Sequence, residues 1–265
     1  MQYSFMSFST PTLTLAEMLQ VAQRYGYDGI EPRLDSKHVH GIEVDTIGLQ
    51  RMALKKQIDS SGIRVSCLAT SLSYANPENT DDMIRQTHAR IDLAGDLAVP
   101  AIRVFGGLIP PGVSREMAIS LLVKALRKVE DHAGERQVAV CLETHDDWCD
   151  PEHIATVLRQ VDHSAVGANW DIMHPVRAKK ADMAGSFEKL KPWIRHVHIH
   201  DGVGRENLKF VPIGVGDIDH RCALQLLMSE NYSGFISGEW INWESYDIHL
   251  PRELTTMKRY EKSVQ

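Results

Sequence analysis

The segment that decides the fold is residues 138–174, VAVCLETHDDWCDPEHIATVLRQVDHSAVGANWDIMH. It contains two short apolar runs that are typical of buried strands, and between them lies an amphipathic stretch that is typical of a helix. The first run ends in Glu143 and the second in Asp171. A charged residue at the end of a buried strand is costly unless something pairs with it. The segment therefore predicts a strand–helix–strand unit whose two acids need a partner.

The same alternation continues along the whole chain. About eight candidate strands alternate with about eight candidate helices, and no linker or low-complexity tract divides them. The first helix is predicted from about Leu15 to Tyr25, where Thr14 and Glu17 form a capping box, and the last from about Pro251 to Lys262. We predict one α/β domain, a single (β/α)8 TIM barrel over residues 1–265.

A doubly wound open sheet is the alternative architecture. The barrel is favoured because candidate ligands fall toward the C-terminal ends of at least four strands. Those ends converge in a barrel, whereas they spread along an edge in an open sheet. Side-chain parity agrees, since Ala139, Cys141 and Glu143 share one strand face and Ser237 and Glu239 share another.

Composition narrows the function classes. The formal net charge is −6, which argues against a nucleic-acid partner. We see no signal peptide and no apolar run long enough to span a membrane, and we expect a cytoplasmic protein. The four cysteines form no CxxC pair and fit a reducing compartment. They are Cys67, Cys141, Cys149 and Cys222.

Four residues, each at or near the end of its own apolar run, are candidate metal ligands. They are Glu143, Asp171, His198 and Glu239. Three carboxylates and one imidazole suit a single hard or borderline divalent ion, namely Mn²⁺, Mg²⁺ or Co²⁺, with Zn²⁺ as a further option. The four motifs taken together support this interpretation more strongly than any one of them does alone.

Each motif also has a simpler interpretation. In the simpler interpretation, Glu143-Thr-His145 is an ordinary surface loop. In the functional interpretation, Glu143 binds the metal and His145 contacts a substrate. In the simpler interpretation of Asp171-Ile-Met-His174, Asp171 is the N-cap of a helix and His174 is an exposed neighbour. His196, the deepest of the three histidines on its strand, is the best candidate for a core residue.

These residues resemble the xylose-isomerase-like sugar isomerases and epimerases, a (β/α)8 superfamily that also contains endonuclease IV. The resemblance spans essentially the whole chain. It depends on six stretches, which are Gly29-Ile-Glu31, Glu143-Thr-His145, Asp171-Ile-Met-His174, Val197-His198-Ile-His200-Asp201, Gly214-Val-Gly216-Asp217-Ile-Asp219 and Gly238-Glu239.

The resemblance implies roles for individual residues. In the ketose 3-epimerase branch, the residues that match Glu143, Asp171, His198 and Glu239 bind one divalent ion, and the two glutamates are the acid/base pair. His174 falls near a family position that holds substrate oxygens. Arg205 falls near another such position, but is one residue away from the family pattern. The implied partner is a small sugar or sugar phosphate, and homo-oligomers are common in the family.

The predicted function is a divalent-metal-dependent isomerase or epimerase of carbohydrate metabolism. A metal ion, of which manganese is one candidate, stabilises the enediolate that forms when a carbon next to a carbonyl loses its proton. Glu143 and Glu239 are the catalytic residues that take up and return this proton. Return to the opposite face gives epimerisation, and transfer between adjacent carbons gives aldose–ketose isomerisation; the sequence does not choose between them.

Three other functions compete. A dehydratase acting on an inosose or a dehydroshikimate-like substrate would use the same first step and then expel a hydroxyl group. An endonuclease IV-like phosphodiesterase is less favoured, since strands 3 and 4 end in Leu68-Ala-Thr70 and Phe105-Gly106-Gly107 without the histidines of that branch. A non-catalytic sugar sensor would not need a complete ligand set.

Overall fold

The structure is a computed structural model that describes residues 1–204 and 207–264. Within these ranges it has eleven strands. They are β1 Gln2–Met6, β2 Gly29–Glu31, β3 Arg64–Val65, β4 Leu68–Ser73, β5 Ala101–Phe105, β6 Ala139–Glu143, β7 Val166–Asp171, β8 Ile194–Ile199, β9 Gly202–Val203, β10 Lys209–Phe210 and β11 Phe235–Gly238.

Nine of these strands form a parallel sheet in the order β3-β2-β1-β11-β8-β7-β6-β5-β4, and β9 pairs with β10 in a short hairpin. The sheet closes because β3 and β4 are two parts of one barrel position. Ser66 N donates to Ile30 O over 2.9 Å, and Ala69 N donates to Pro32 O over 3.0 Å. The nine strands thus fill eight positions, and the predicted barrel is confirmed.

In the described part of the chain, ten α-helices cover the outside of the barrel. They are α1 Leu15–Tyr25, α2 Leu49–Ser61, α3 Thr80–Asp96, α4 Arg115–Arg127, α5 Glu130–Glu135, α6 Pro151–Val161, α7 Met173–Arg177, α8 Met183–Leu190, α9 His220–Ser229 and α10 Tyr246–Val264. Across the described ranges, none of them combines the length and apolar composition that a bilayer span requires.

The predicted bounds are correct for the first helix but not for the last. Helix α1 has the predicted bounds, and its capping box is present, with Thr14 N donating to Glu17 Oε2 over 2.8 Å. The predicted start of the last helix at Pro251 is wrong, because α10 begins at Tyr246. Pro251 therefore lies inside α10, where it lacks the N–H group for one backbone hydrogen bond. The turn before it is stabilised by the burial of His249 and Leu250, both at most 1% exposed.

The barrel interior changes character along its axis. At the N-terminal end, Cys67, Ala101 and Cys141 form a small buried cluster. Both of these cysteines are free and buried. Two residues further along β5 and β6, on the same faces, stand Arg103 and Glu143. The interior therefore carries charged side chains toward its C-terminal end, whereas the cluster of Cys67, Ala101 and Cys141 at the N-terminal end is uncharged.

Candidate metal centre

The four predicted ligands lie together at the C-terminal end of the barrel. Glu143 ends β6, Asp171 ends β7, His198 lies in β8 and Glu239 follows β11. One ligand atom from each lies within 4.8 Å of the others. Glu239 is 7% exposed and the other three are completely buried. The structure thus brings the four side chains together, and their binding of an ion stays a prediction.

Strand register explains why these side chains meet. In the parallel ladder Glu143 pairs with Asn169, and Asp171 pairs with His198. Side chains at paired positions of neighbouring strands point to the same face, which here is the barrel interior. Glu143 is therefore level with Asn169, and Asp171, two residues further along β7, is level with His198, so these inward-facing side chains lie in adjacent layers at the C-terminal end of the barrel.

His198 is the centre of the cluster. Its Nδ1 lies 2.7 Å from Glu143 Oε1, 3.3 Å from Glu239 Oε2 and 3.0 Å from Asn169 Nδ2. Burial lowers the pKa of His198, but the carboxylates of Glu31 and Glu143 outweigh it and raise this pKa well above its ordinary value. The carboxylates thus create a position beside Nδ1 that favours a positive charge.

Asp171 uses its two oxygens differently. Oδ1 accepts from the backbone N–H groups of Met173 and His174, the first two residues of α7, over 2.9 and 3.3 Å. Oδ2 lies 3.1 Å from His200 Nε2, yet among the described residues neither atom has an aligned hydrogen bond. Asp171 is thus not the N-cap of α7, which is Ile172; it holds the start of the helix from one residue earlier and directs its other oxygen toward His200.

A buried arginine that the sequence analysis missed contacts the cluster. Arg103 is 1% exposed, and its Nε lies 3.3 Å from Glu143 Oε2. Its guanidinium also donates to Thr70 O over 2.8 Å and lies 4.0 Å above the Phe105 ring. The signal was present, because an arginine in the middle of the apolar strand Ala101–Phe105 must pair with something when it is buried.

The cluster fits a divalent cation. Glu143 Oε2 and Asp171 Oδ2 are buried oxygens without a hydrogen bond from any described residue. Buried polar atoms without hydrogen bonds are rare and call for an explanation such as an ion. The donors are carboxylate oxygens and one imidazole nitrogen, a set that suits Mg²⁺, Mn²⁺ and related ions.

The predicted substrate residues lie beside this cluster. The rings of His145 and His174 meet edge to face with their centroids 4.4 Å apart, and His145 also packs against Phe105. His174 Nε2 lies 3.7 Å from Asp171 Oδ2. The third predicted substrate residue, Arg205, lies outside the described residues.

Asp201 organises the loop that follows β10. It is completely buried, and its carboxylate accepts from the backbone N–H groups of Gly214 and Gly216 over 2.8 and 3.0 Å. A Cβ on Gly216 would lie 2.2 Å from Asp201 Oδ1, so only glycine allows this approach. The acid at the end of the His196–Asp201 motif therefore shapes the rim of the barrel.

Comparison with known proteins agrees with this architecture. Residues 19–258 match the family described as "Xylose isomerase-like TIM barrel". The chain belongs to this family. A curated relative, the 3-dehydroshikimate dehydratase of Bacillus anthracis, is 24% identical over 271 residues, which cover 94% of each chain.

Solved structures of this family share the fold. A D-tagatose 3-epimerase-like protein superposes with a TM-score of 0.81 at 19% identity, covering 100% of this chain and 98% of its own. A xylose isomerase-like TIM barrel protein from Mycobacterium smegmatis, solved in complex with magnesium, gives a TM-score of 0.78 at 17% identity and covers 100% and 98%. The proteins that this chain is similar to thus include one named as a dehydratase and one named as epimerase-like.

Proposed function

We propose that this protein is a divalent-metal-dependent isomerase or epimerase that removes a proton next to a carbonyl group of a sugar or sugar phosphate. The observation that supports this most is the approach of two buried carboxylates to one point. Glu143 and Glu239 lie 2.7 and 3.3 Å from the same nitrogen of His198. They come from β6 and β11, with β7 and β8 between them.

Glu143, Asp171, His198 and Glu239 would hold the cation. When bound, a divalent cation would stabilise the negative charge that develops on the carbonyl and adjacent hydroxyl oxygens of the substrate. Because these four side chains are at most 7% exposed, the site excludes water from the groups that move protons.

The two glutamates are proposed to act as the acid/base pair. One takes the proton from the substrate carbon on one face, and the other delivers a proton to the opposite face. Burial acts against ionisation of Glu239, but the hydrogen bond and charge of His198 outweigh it and lower the pKa of this carboxyl to about 2. Arg103 contacts Glu143 Oε2 and fixes the orientation of that carboxylate.

His145 and His174 are proposed to hold substrate hydroxyl groups. Their rings lie against each other at the mouth, and the His174 ring is next to that of His200 at 5.6 Å between centroids. Arg205 is proposed for the same task on the basis of the family pattern alone. A sugar bound by these residues would present its carbonyl carbon toward Glu143 and Glu239.

Proton exchange tests this proposal. Protein loaded with Mn²⁺ is incubated with ketoses, ketose phosphates and inososes in D₂O, and deuterium incorporation is followed by NMR. We expect exchange at a carbon next to the carbonyl group that disappears in metal-stripped protein and in Glu239→Gln. Metal-loaded protein that catalyses no exchange with any member of the panel would contradict the proposal.

A dehydratase is the second candidate, because the curated relative at 24% identity is named as one. The first step would be the same proton abstraction by a glutamate. The electron pair of the broken C–H bond would then form a double bond as the β-hydroxyl leaves with a proton as water. Mass spectrometry separates the two reactions, since an isomer keeps the mass of the substrate and a dehydration product has lost water.

A further inference from the structure

Another buried acid lies beside His198, on the side away from the other three ligands of the candidate metal centre. Glu31 ends β2 and is completely buried. Its Oε2 accepts from His196 Nε2 over 2.8 Å, and its Oε1 accepts from His198 Nε2 over 3.0 Å. One carboxylate thus bridges two imidazoles across the barrel interior, on the side of His198 that faces away from Glu143.

This contact decides which nitrogen of His198 carries hydrogen. Each oxygen of Glu31 lies at hydrogen-bond distance from an imidazole Nε2, an arrangement that a carboxylate satisfies by accepting twice. An ionised carboxylate only accepts hydrogen bonds. Nε2 of His198 must therefore be the donor, and in neutral imidazole the lone pair is then on Nδ1.

Nδ1 faces the four-residue cluster. It lies 2.7 Å from Glu143 Oε1 and 3.3 Å from Glu239 Oε2, both of which are acceptors when ionised. Asn169 Nδ2, 3.0 Å away, can donate to the lone pair of Nδ1, but the repulsion from the two carboxylates remains until a proton or a cation lies between them and Nδ1. Metal-binding histidines commonly donate their other N–H group to a carboxylate, which fixes the tautomer and the ring orientation.

We infer that Glu31 is a positioning residue of the metal centre, which holds His198 as the Nε2–H tautomer so that Nδ1 is presented to a divalent cation. The inference rests on the metal binding of the proposed function, but not on its reaction. A test that measures ion binding therefore gives the same result whichever substrate the protein acts on.

A competing interpretation places a second ion between Glu31, His196 and His198, whose ligand atoms also lie within 4.8 Å of one another. Such an ion would have to displace both hydrogen bonds of Glu31. Counting the ions bound per chain distinguishes the two arrangements, because only the competing one predicts that changing Glu31 removes an ion.

The experiment is a Mn²⁺ titration followed by the EPR signal of the free ion. We compare the wild type with Glu31→Leu, which removes the acceptor, and Glu31→Gln, which keeps an amide oxygen but loses the charge. Glu253→Gln is the matched control, since Glu253 is also a buried glutamate but accepts from Ile213 N and Arg252 Nε. Circular dichroism and thermal unfolding without metal show whether each variant folds.

We expect one ion per chain in the wild type and a Kd that is raised about 10–100-fold in Glu31→Leu. The increase should be smaller in Glu31→Gln, and Glu253→Gln should bind as the wild type does. Folded Glu31→Leu with wild-type affinity would overturn the inference. Two ions in the wild type and one in the variant would establish the competing site instead.

A second measurement needs no variant at Glu31. In wild-type protein loaded with Zn²⁺, long-range ¹H–¹⁵N NMR identifies the protonated nitrogen of each histidine. We expect His198 to be metal-bound at Nδ1 and protonated at Nε2, with His198→Asn used to assign its signals. Coordination through Nε2, or a His198 that does not bind the ion, would overturn the inference even if the Glu31 variants fail to fold.

Discussion

The two ends of the barrel interior use the same strands in opposite ways. At the N-terminal end Ala101 and Cys141 pack in a small uncharged cluster. Two residues further along the same strands, Arg103 and Glu143 form a buried ion pair. Burying small uncharged groups requires only close packing, whereas burying charges also requires partners. The difference separates residues that hold the barrel together from residues that are arranged around a ligand.

Removing the charge of a central carboxylate should have the largest effect. We expect Glu143→Gln to slow metal-dependent proton exchange by about 10²–10⁴-fold, because glutamine keeps the shape but takes up no proton. Exchange is measured by NMR at Mn²⁺ concentrations that EPR shows to be saturating. Wild-type exchange rates in the metal-saturated variant would remove Glu143 from the acid/base pair.

Adding the cation should stabilise the charged end. At a free Mn²⁺ concentration of 100 times its Kd, we expect the free energy of unfolding to rise by about 2.7 kcal/mol. Chemical denaturation with Mn²⁺ and with EDTA measures this difference. Asp171→Asn is the control, since loss of a ligand charge should abolish most of the gain; the same gain in that variant would place the ion elsewhere.

A change at the uncharged end should affect stability alone. We expect Cys141→Ala to lower the free energy of unfolding by about 1–1.5 kcal/mol, because it leaves a small cavity in the cluster with Cys67 and Ala101. The affinity for Mn²⁺ should stay at the wild-type value. A large loss of affinity would show that the two layers are not independent.

The smallest effect should come from the outside of the barrel. Thr14→Ala removes the side chain that caps α1, where Thr14 Oγ1 accepts from Glu17 N. We expect a loss of about 0.5–1 kcal/mol in the free energy of unfolding and no change in Mn²⁺ binding. Thermal and chemical denaturation check the first value. A decrease greater than that of Cys141→Ala would contradict the order of effects proposed here.

Features set by neighbouring residues were predictable from the sequence. The capping box of Thr14 and Glu17 acts within four residues, and strand parity puts Glu143 on the face of Cys141. Helix α7, Met173–Arg177, was missed, since five residues are too few to show a helical period. Its N-terminus is instead held by the side chain of Asp171.

Contacts across the barrel were not predictable in the same way. Glu31 meets His196 and His198 at sequence separations of 165 and 167 residues. Arg103 meets Glu143 from the neighbouring strand. These pairs depend on the strand register and on which side chains meet across the interior, neither of which follows from the order of strands and helices. Their only sign in the sequence is a charged residue within an apolar run.

The most direct test of the central claim is the coordination of Mn²⁺ in the wild-type protein. Pulsed EPR detects the nitrogen of any imidazole bound to the ion, and His198 is the imidazole of the four-residue cluster. We expect one bound Mn²⁺ per chain with the modulation of a single imidazole nitrogen, which disappears in His198→Asn. Mn²⁺ bound without that nitrogen, or no bound Mn²⁺, would contradict the claim that the charged end of the barrel is a metal centre.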